Sequence, residues 1–339
     1  MIPQDKTAAV SRALREAFDV TEFEDVRRMT KGQTSALVFR IVVRGKPYLL
    51  RIIMYKNSML GPERNFTCMR TAGEAGIAPH VWYTSVPDQI SITDFVEEVP
   101  LPPSEALVRM PIVLRNLHAL PPFPKGVDFL DTSSMFLLHK GAATEGFIEK
   151  FKAASLLSTE QSEQLFSWLA QIAAVYPRNE SDMVSSHNDL FKPDNVLFDG
   201  ARVWVVDWEA AFLNDRYFDL AVVANLIVND DAEERAYLER YFGQPPEEYQ
   251  LARFFLMRQL VHIFYTMGYL FLSSREGPVI QPENLPDFKV FKRRMWTGEV
   301  SLADKDTRIA YGWIHWQQLR VNMQQPARFD EALRIVATR

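Results

Sequence analysis

Residues 185–219, SSHNDLFKPDNVLFDGARVWVVDWEAAFLNDRYFD, constrain the fold more than any other stretch of this chain. Two short apolar runs, Val196 to Phe198 and Val203 to Val206, flank a turn at Asp199-Gly200, a pattern that predicts a β-hairpin. Polar groups gather at its open ends: His187-Asn188-Asp189 and Asp194-Asn195 before the first strand, Asp207 after the second. The strands supply the packing, so Asp189, Asn195 and Asp207 come close together without being needed for the core. A base for a hydroxyl beside two oxygen ligands for a divalent metal is the equipment of phosphoryl transfer, in which positioning and charge neutralisation dominate. Any one of these aspartates alone reads as a turn or helix-cap residue. Their combination is the signal.

With 339 residues, 47% of them apolar, the chain can bury one large core or a two-lobed one. A net charge of −5 argues against a broad nucleic-acid-binding surface, which would be basic. The single cysteine, Cys68, allows no internal disulfide and reads as a small buried apolar residue rather than a nucleophile. Met1 to Asp5 lacks a basic start followed by an apolar run, so no secretory signal is expected. Leu251 to Leu272 is the one membrane candidate, but Arg253, Arg258 and His262 interrupt it, which predicts a buried helix instead. The expectation is a soluble cytoplasmic protein with no membrane or nucleic-acid partner.

Along the chain, Val10, Leu14, Ala17 and Phe18 predict an amphipathic helix over Asp5 to Phe18. Leu37, Phe39, Ile41 and Val43 alternate as in a strand, and a turn at Arg44 to Pro47 leads to a second strand over Tyr48 to Met54. Ahead of them, Thr30 to Ser35 is a small polar turn around Gly32 whose backbone N–H groups can meet phosphate oxygens. A helix is predicted from about Pro62 to Gly73, then strands over His80 to Thr84 and Gln89 to Val96. Glu97 to Pro103, charged and then proline-rich, reads as a connector between lobes. Beyond it the chain turns helical. Pro111 is a candidate helix start, and Phe147 to Phe151 with Leu165 to Val175 are expected to pack under the hairpin.

The His187-Asn188-Asp189 loop, Asn195 before its strand, Asp207-Trp208-Glu209 and Tyr217-Phe218-Asp219-Leu220 resemble the core of the aminoglycoside phosphotransferase and choline kinase superfamily. The resemblance implies an α+β, protein-kinase-like fold with a small N-terminal antiparallel β-sheet lobe (1–96), a connector (97–103) and a larger, mainly helical C-terminal lobe (104–339). It implies an ATP- and Mg²⁺-dependent transfer of phosphate to a small-molecule alcohol. Asp189 is then the catalytic base, and Asn195 and Asp207 hold Mg²⁺. Asn195 lies six residues after Asp189 where the family has five, so Asp194 remains an alternative ligand. Gly32, Gln33, Thr34, Ser35 and Arg51 would fix the triphosphate, with Glu63 as the partner of Arg51. Glu209, Tyr265 and Tyr269 are implied at the acceptor site, Tyr265 standing where choline kinases carry a ring of their cation cage. His118 and His187 read as braces, Asp219 as the cap of a helix over Leu220 to Val228 and an anchor of the catalytic loop, and Lys192 as either a phosphate contact or an exposed cation. A cationic amino alcohol such as choline or ethanolamine is the expected acceptor. An aminoglycoside, or another small alcohol such as a sugar, is the alternative, and a nucleotide-binding regulator without turnover is the alternative of a different class.

Overall fold

The structure, a computed structural model, describes residues 2–29, 36–54, 61–125, 146–191 and 193–338. A short 3₁₀ turn leads into helix α1 (Thr7–Phe18), which ends where Asp19 takes the left-handed conformation and returns its N–H to the Arg15 carbonyl. Strands β1 (Asp25–Met29), β2 (Ala36–Val43) and β3 (Lys46–Ile53) follow, then helix α2 (Pro62–Glu74) and strands β4 (Val81–Ser85) and β5 (Ile90–Asp94). They form one antiparallel sheet in the order β1-β2-β3-β5-β4. Arg44 and Gly45 both have positive φ, as a two-residue turn matching strand twist requires. Alternation sends Phe39, Ile41, Leu50 and Ile52 to one face, where Val10, Leu14 and Phe18 of α1 cover them. Arg51 therefore points to the opposite face. β1 was not anticipated: its sequence, Asp-Val-Arg-Arg-Met, shows no apolar alternation, and its ladder to β2 holds it as a charged edge strand.

The remaining elements are mainly helical: α3 (Pro103–His118), α4 (Phe147–Ala153), α5 (Thr159–Val175), α6 (Arg216–Ile227), α7 (Asp231–Phe242), α8 (Glu248–Ser274), α9 (Phe288–Trp296), α10 (Lys305–Met323) and α11 (Pro326–Ala337). Two small antiparallel ribbons interrupt them. One pairs β6 (Met183–Ser186) with β9 (Phe212–Asp215), and the other is the hairpin of β7 (Val196–Phe198) and β8 (Val203–Val205). Two expectations are corrected. Pro111 does not start a helix but lies inside α3, which begins at Pro103, where a missing N–H costs nothing. Helix α5 packs against α8 and α11 rather than under the hairpin, and its Trp168 ring lies 6.0 Å from that of Trp316.

Helix α8 is the axis of this half, with nineteen of its residues buried. No helix among the described residues is long and apolar enough to cross a membrane. Helix α10 crosses α8 where Gly312 meets Leu270. A Cβ on Gly312 would stand 2.9 Å from the Leu270 side chain, so only glycine permits so close an approach. The hairpin is tied to the sheet half through Val205 N–H to the Ile77 carbonyl (2.9 Å) and through Val99 N–H to the Phe198 carbonyl (2.7 Å). Cys68 is fully buried against the Ala211 carbonyl, and burial pushes its thiol up to about 12.

Candidate active site

The loop between β6 and β7 is built around a buried carboxylate. Asp219, in the first turn of α6, accepts the backbone N–H groups of His187 and Asn188, each at 2.8 Å. Burial opposes its ionisation more than any single contact does, yet the hydrogen bond and charge of His118, with His187, hold the carboxyl below the usual range. His118 is in turn fixed by the Tyr241 hydroxyl at 2.7 Å. Asp219 thus anchors the loop as expected, but it is not the helix cap. Asp215 caps α6 instead, accepting from Tyr217 N–H, because the helix begins four residues earlier than the sequence suggested.

The loop's other side chains are equally engaged. Asn188, at φ 66°, donates to the Ala210 carbonyl and accepts from Asn214. His187 Nε2 lies 2.9 Å from the Val206 carbonyl and its Nδ1 3.3 Å from Asp189 N–H, which fixes the tautomer with hydrogen on Nε2. Asp189 itself is buried. Asn195 Nδ2 donates to its carbonyl at 2.7 Å and to its carboxylate at 3.1 Å. Residues 193–195 form a 3₁₀ turn that absorbs the extra residue, leaving Asp194 exposed and turning Asn195 inward.

Asp207, two residues after β8, takes the left-handed conformation (φ 68°, ψ 64°), a strained state for a side chain of this kind and one that concentrates at working sites. Its carboxylate meets Arg51 Nη1 at 2.7 Å, and Arg51 Nη2 lies 3.5 Å from Glu209. The expected pairing of Arg51 with Glu63 is corrected: Glu63 is exposed on the first turn of α2, and among the described residues the ion pairs of Arg51 run to Asp207 and Glu209. From the same helix it is Arg64 that reaches over, donating to the Glu209 carbonyl at 2.9 Å. Glu209 accordingly stands with the arginines and not with the two tyrosines. Gly32, Gln33, Thr34, Ser35 and Lys192 lie outside the described residues.

Beside Asp189 an aromatic wall begins. Phe191 lies 5.1 Å from the Tyr265 ring and 6.0 Å from that of Tyr269. Tyr311 completes it, 5.7 Å from Tyr265 and 4.8 Å from Tyr269. Burial, then neighbouring tyrosines, then the charge of Asp189 raise both Tyr265 and Tyr269 well above the usual phenol range, so these hydroxyls stay protonated. Tyr265 and Tyr269 were legible as a stripe on α8. Tyr311 and its neighbour His315 were not, and the only hint was their i, i+4 spacing on α10.

A model of the phosphotransferase enzyme family matches residues 26–255. Solved structures of the same fold include a choline/ethanolamine kinase family protein from Mesorhizobium loti, 18% identical, covering 98% of this chain and 100% of that one at a TM-score of 0.65. A choline kinase from Streptococcus pneumoniae is 15% identical, with coverages of 88% and 100% and a TM-score of 0.56. A spectinomycin phosphotransferase in complex with ADP and spectinomycin is 14% identical, with coverages of 91% and 98% and a TM-score of 0.51. No protein of curated function matches the sequence.

Proposed function

The chain belongs to the phosphotransferase enzyme family, and from that premise we propose that it transfers the γ-phosphate of ATP to the hydroxyl of a compact cationic amino alcohol. Asp189 is assigned the acceptor: it orients the alcohol and takes its proton. One observation carries this reading. The Asp189 carboxylate is buried and fixed by Asn195, in a loop whose backbone is locked by Asp219, so little freedom is left to lose when an alcohol arrives.

Asp207 and Asn195 are hard oxygen donors at the two ends of one hairpin, a set that fits Mg²⁺. Among the described residues no cluster of three or more His, Cys, Asp or Glu forms a metal site alone. That too suits Mg²⁺, which takes few protein ligands and completes its shell with water and phosphate. Bound there, the ion would neutralise charge on the phosphates. Asn195, not Asp194, is the second ligand in this reading, because Asp194 faces solvent. Arg51 and the turn at Gly32 to Ser35 are assigned the triphosphate. The nucleotide lobe is placed at 1–96, the connector at 97–103 and the larger lobe at 104–339, in keeping with the separate apolar core under α1.

The acceptor side supports a monocation over a polycation. Beside Asp189 the described wall is made of the rings of Phe191, Tyr265, Tyr269 and Tyr311, uncharged faces that suit one compact ammonium better than several spread charges. The test is ADP release from Mg²⁺-ATP with choline, ethanolamine, aminoglycosides, homoserine and simple sugars, beside Asp189→Ala. Turnover with an amino alcohol, lost in the variant, is expected. Turnover confined to aminoglycosides would reassign the acceptor, and failure to bind ATP would end the kinase reading.

A further inference from the structure

Where α8 and α10 cross, two buried histidines meet. His262 Nδ1 lies 2.8 Å from His315 Nδ1, and both residues are essentially inaccessible, at 0% and 1%. Burial holds both rings neutral. For His262 the charges of Arg258 and Lys292 add to the effect, and His315 is pushed down to about 3. A bond between two neutral imidazoles uses one N–H and one lone pair, so the rings must be opposite tautomers. Whichever ring donates, its own Nε2 is left as a lone pair, and the other ring's Nε2 carries hydrogen. Neither Nε2 has a partner among the described residues, nor does the Tyr265 hydroxyl. Interiors rarely leave such groups unmet, and unmet imidazole nitrogens one ring away from Tyr265 offer a place to a polar visitor.

The position of the pair says which visitor. The His315 ring lies 5.1 Å from Tyr265 and 4.4 Å from Tyr311, the rings that continue from Phe191 and Asp189. Phe288 closes the far side, 5.2 Å from His262 and 5.3 Å from His315. We propose that the His262–His315 pair is the specificity-determining end of the acceptor pocket, selecting an ammonium group that still bears N–H over a quaternary one. This rests on the amino-alcohol reading above. The aromatic faces attract either cation. The unpartnered lone pair distinguishes them: a primary or secondary ammonium donates a charge-assisted hydrogen bond to it, whereas a quaternary ammonium presents only methyl groups and leaves it unmet. The opposing Nε2–H takes an oxygen lone pair, from a second polar group of the acceptor or from water.

The experiment measures kcat/KM for ethanolamine, N-methylethanolamine, N,N-dimethylethanolamine and choline, in the wild-type chain and in His262→Asn and His315→Asn. Asparagine retains a polar atom in place of Nδ1 and removes Nε2, so the contact between the helices is preserved. The expected wild-type result is a preference for the three N–H-bearing amines over choline of roughly ten- to hundred-fold. In at least one variant this preference collapses through a higher KM for the amines, while the values for choline and the KM for ATP stay put. Equal use of choline and ethanolamine by the wild type, or an unchanged preference in both variants, overturns the proposal. If a variant does not fold, the wild-type methylation series decides alone. Failure of the amino-alcohol reading looks different: no member of the series raises ADP release in any protein while another acceptor class does, and the proposal falls with it.

Discussion

Two buried polar regions lie side by side in this molecule, and they are finished to different degrees. In the loop from His187 to Asn195, Asp219 takes two backbone N–H groups, Asn195 holds Asp189, and Asn188 and His187 are each bonded more than once. In the wall of α8 and α10, two imidazole nitrogens and the Tyr265 hydroxyl are buried without partners among the described residues. A closed network fixes geometry, because every donor that moves must break a bond in a medium where none replaces it. An open one leaves affinity for something not yet bound. The first arrangement suits chemistry that is the same for every turnover, and the second suits recognition.

The comparison can be broken most forcefully at its closed end. Asp189→Ala should lower the rate of phosphate transfer by on the order of 10²-fold or more with the fold intact, as measured by ADP release beside thermal melting. Asp219→Ala should do the reverse, losing about 3–5 kcal/mol of stability through two orphaned N–H groups and an unpaired His118, read by denaturant unfolding. If Asp219→Ala were as stable as wild type, the loop would not be held as described.

Acid separates the two regions further. The histidines of the wall are neutral in the folded chain and begin to bind protons in the unfolded chain near 6.5, so their contribution is present above that pH. It is lost as pH falls from 6.5 towards about 3, the value of His315. Asp219 is depressed below its ordinary 3.8, so its contribution is full above that value and is lost only below it. Melting temperature should therefore fall first between pH 6.5 and 4, and His315→Asn should flatten that limb while leaving the drop below pH 3.8. A smaller effect belongs to Lys292, which donates to the Val228 carbonyl behind His262. Burial, with Arg258 and Lys289, lowers it to about 7. The folded chain then binds fewer protons than the unfolded one between about 7 and 10.5, and stability should rise with pH across that window. Lys292→Met should remove that rise, a change visible in melts at pH 7.5 and 9.5.

The two regions also differ in how far they could be read beforehand. Asn195 and Asp207 flank one hairpin that strand period and turn chemistry predict, Asp189 lies a few residues before it, and the expected segments coincide with β7 and β8 to within a residue. Misreadings arose where a partner comes from far along the chain. Arg51 meets Asp207, 156 residues away, because the sheet turns it from the α1 core towards the hairpin. The nearer Glu63 stays in solvent. Asp219 was read as both cap and loop anchor: the anchoring holds, across 31 and 32 residues, whereas the cap, suggested by its place in a first turn, is Asp215.

Local pattern therefore gave most of the elements and the hairpin, since hydrophobic period and turn residues act over a few positions, while the α+β class came with the family resemblance. Tertiary structure decided the histidine pair. His262 and His315 stand 53 residues apart on helices that show no sign of each other in sequence. They meet because Gly312 lets α10 sink onto Leu270, and a bond between two rings depends on that distance, which only the packed core sets.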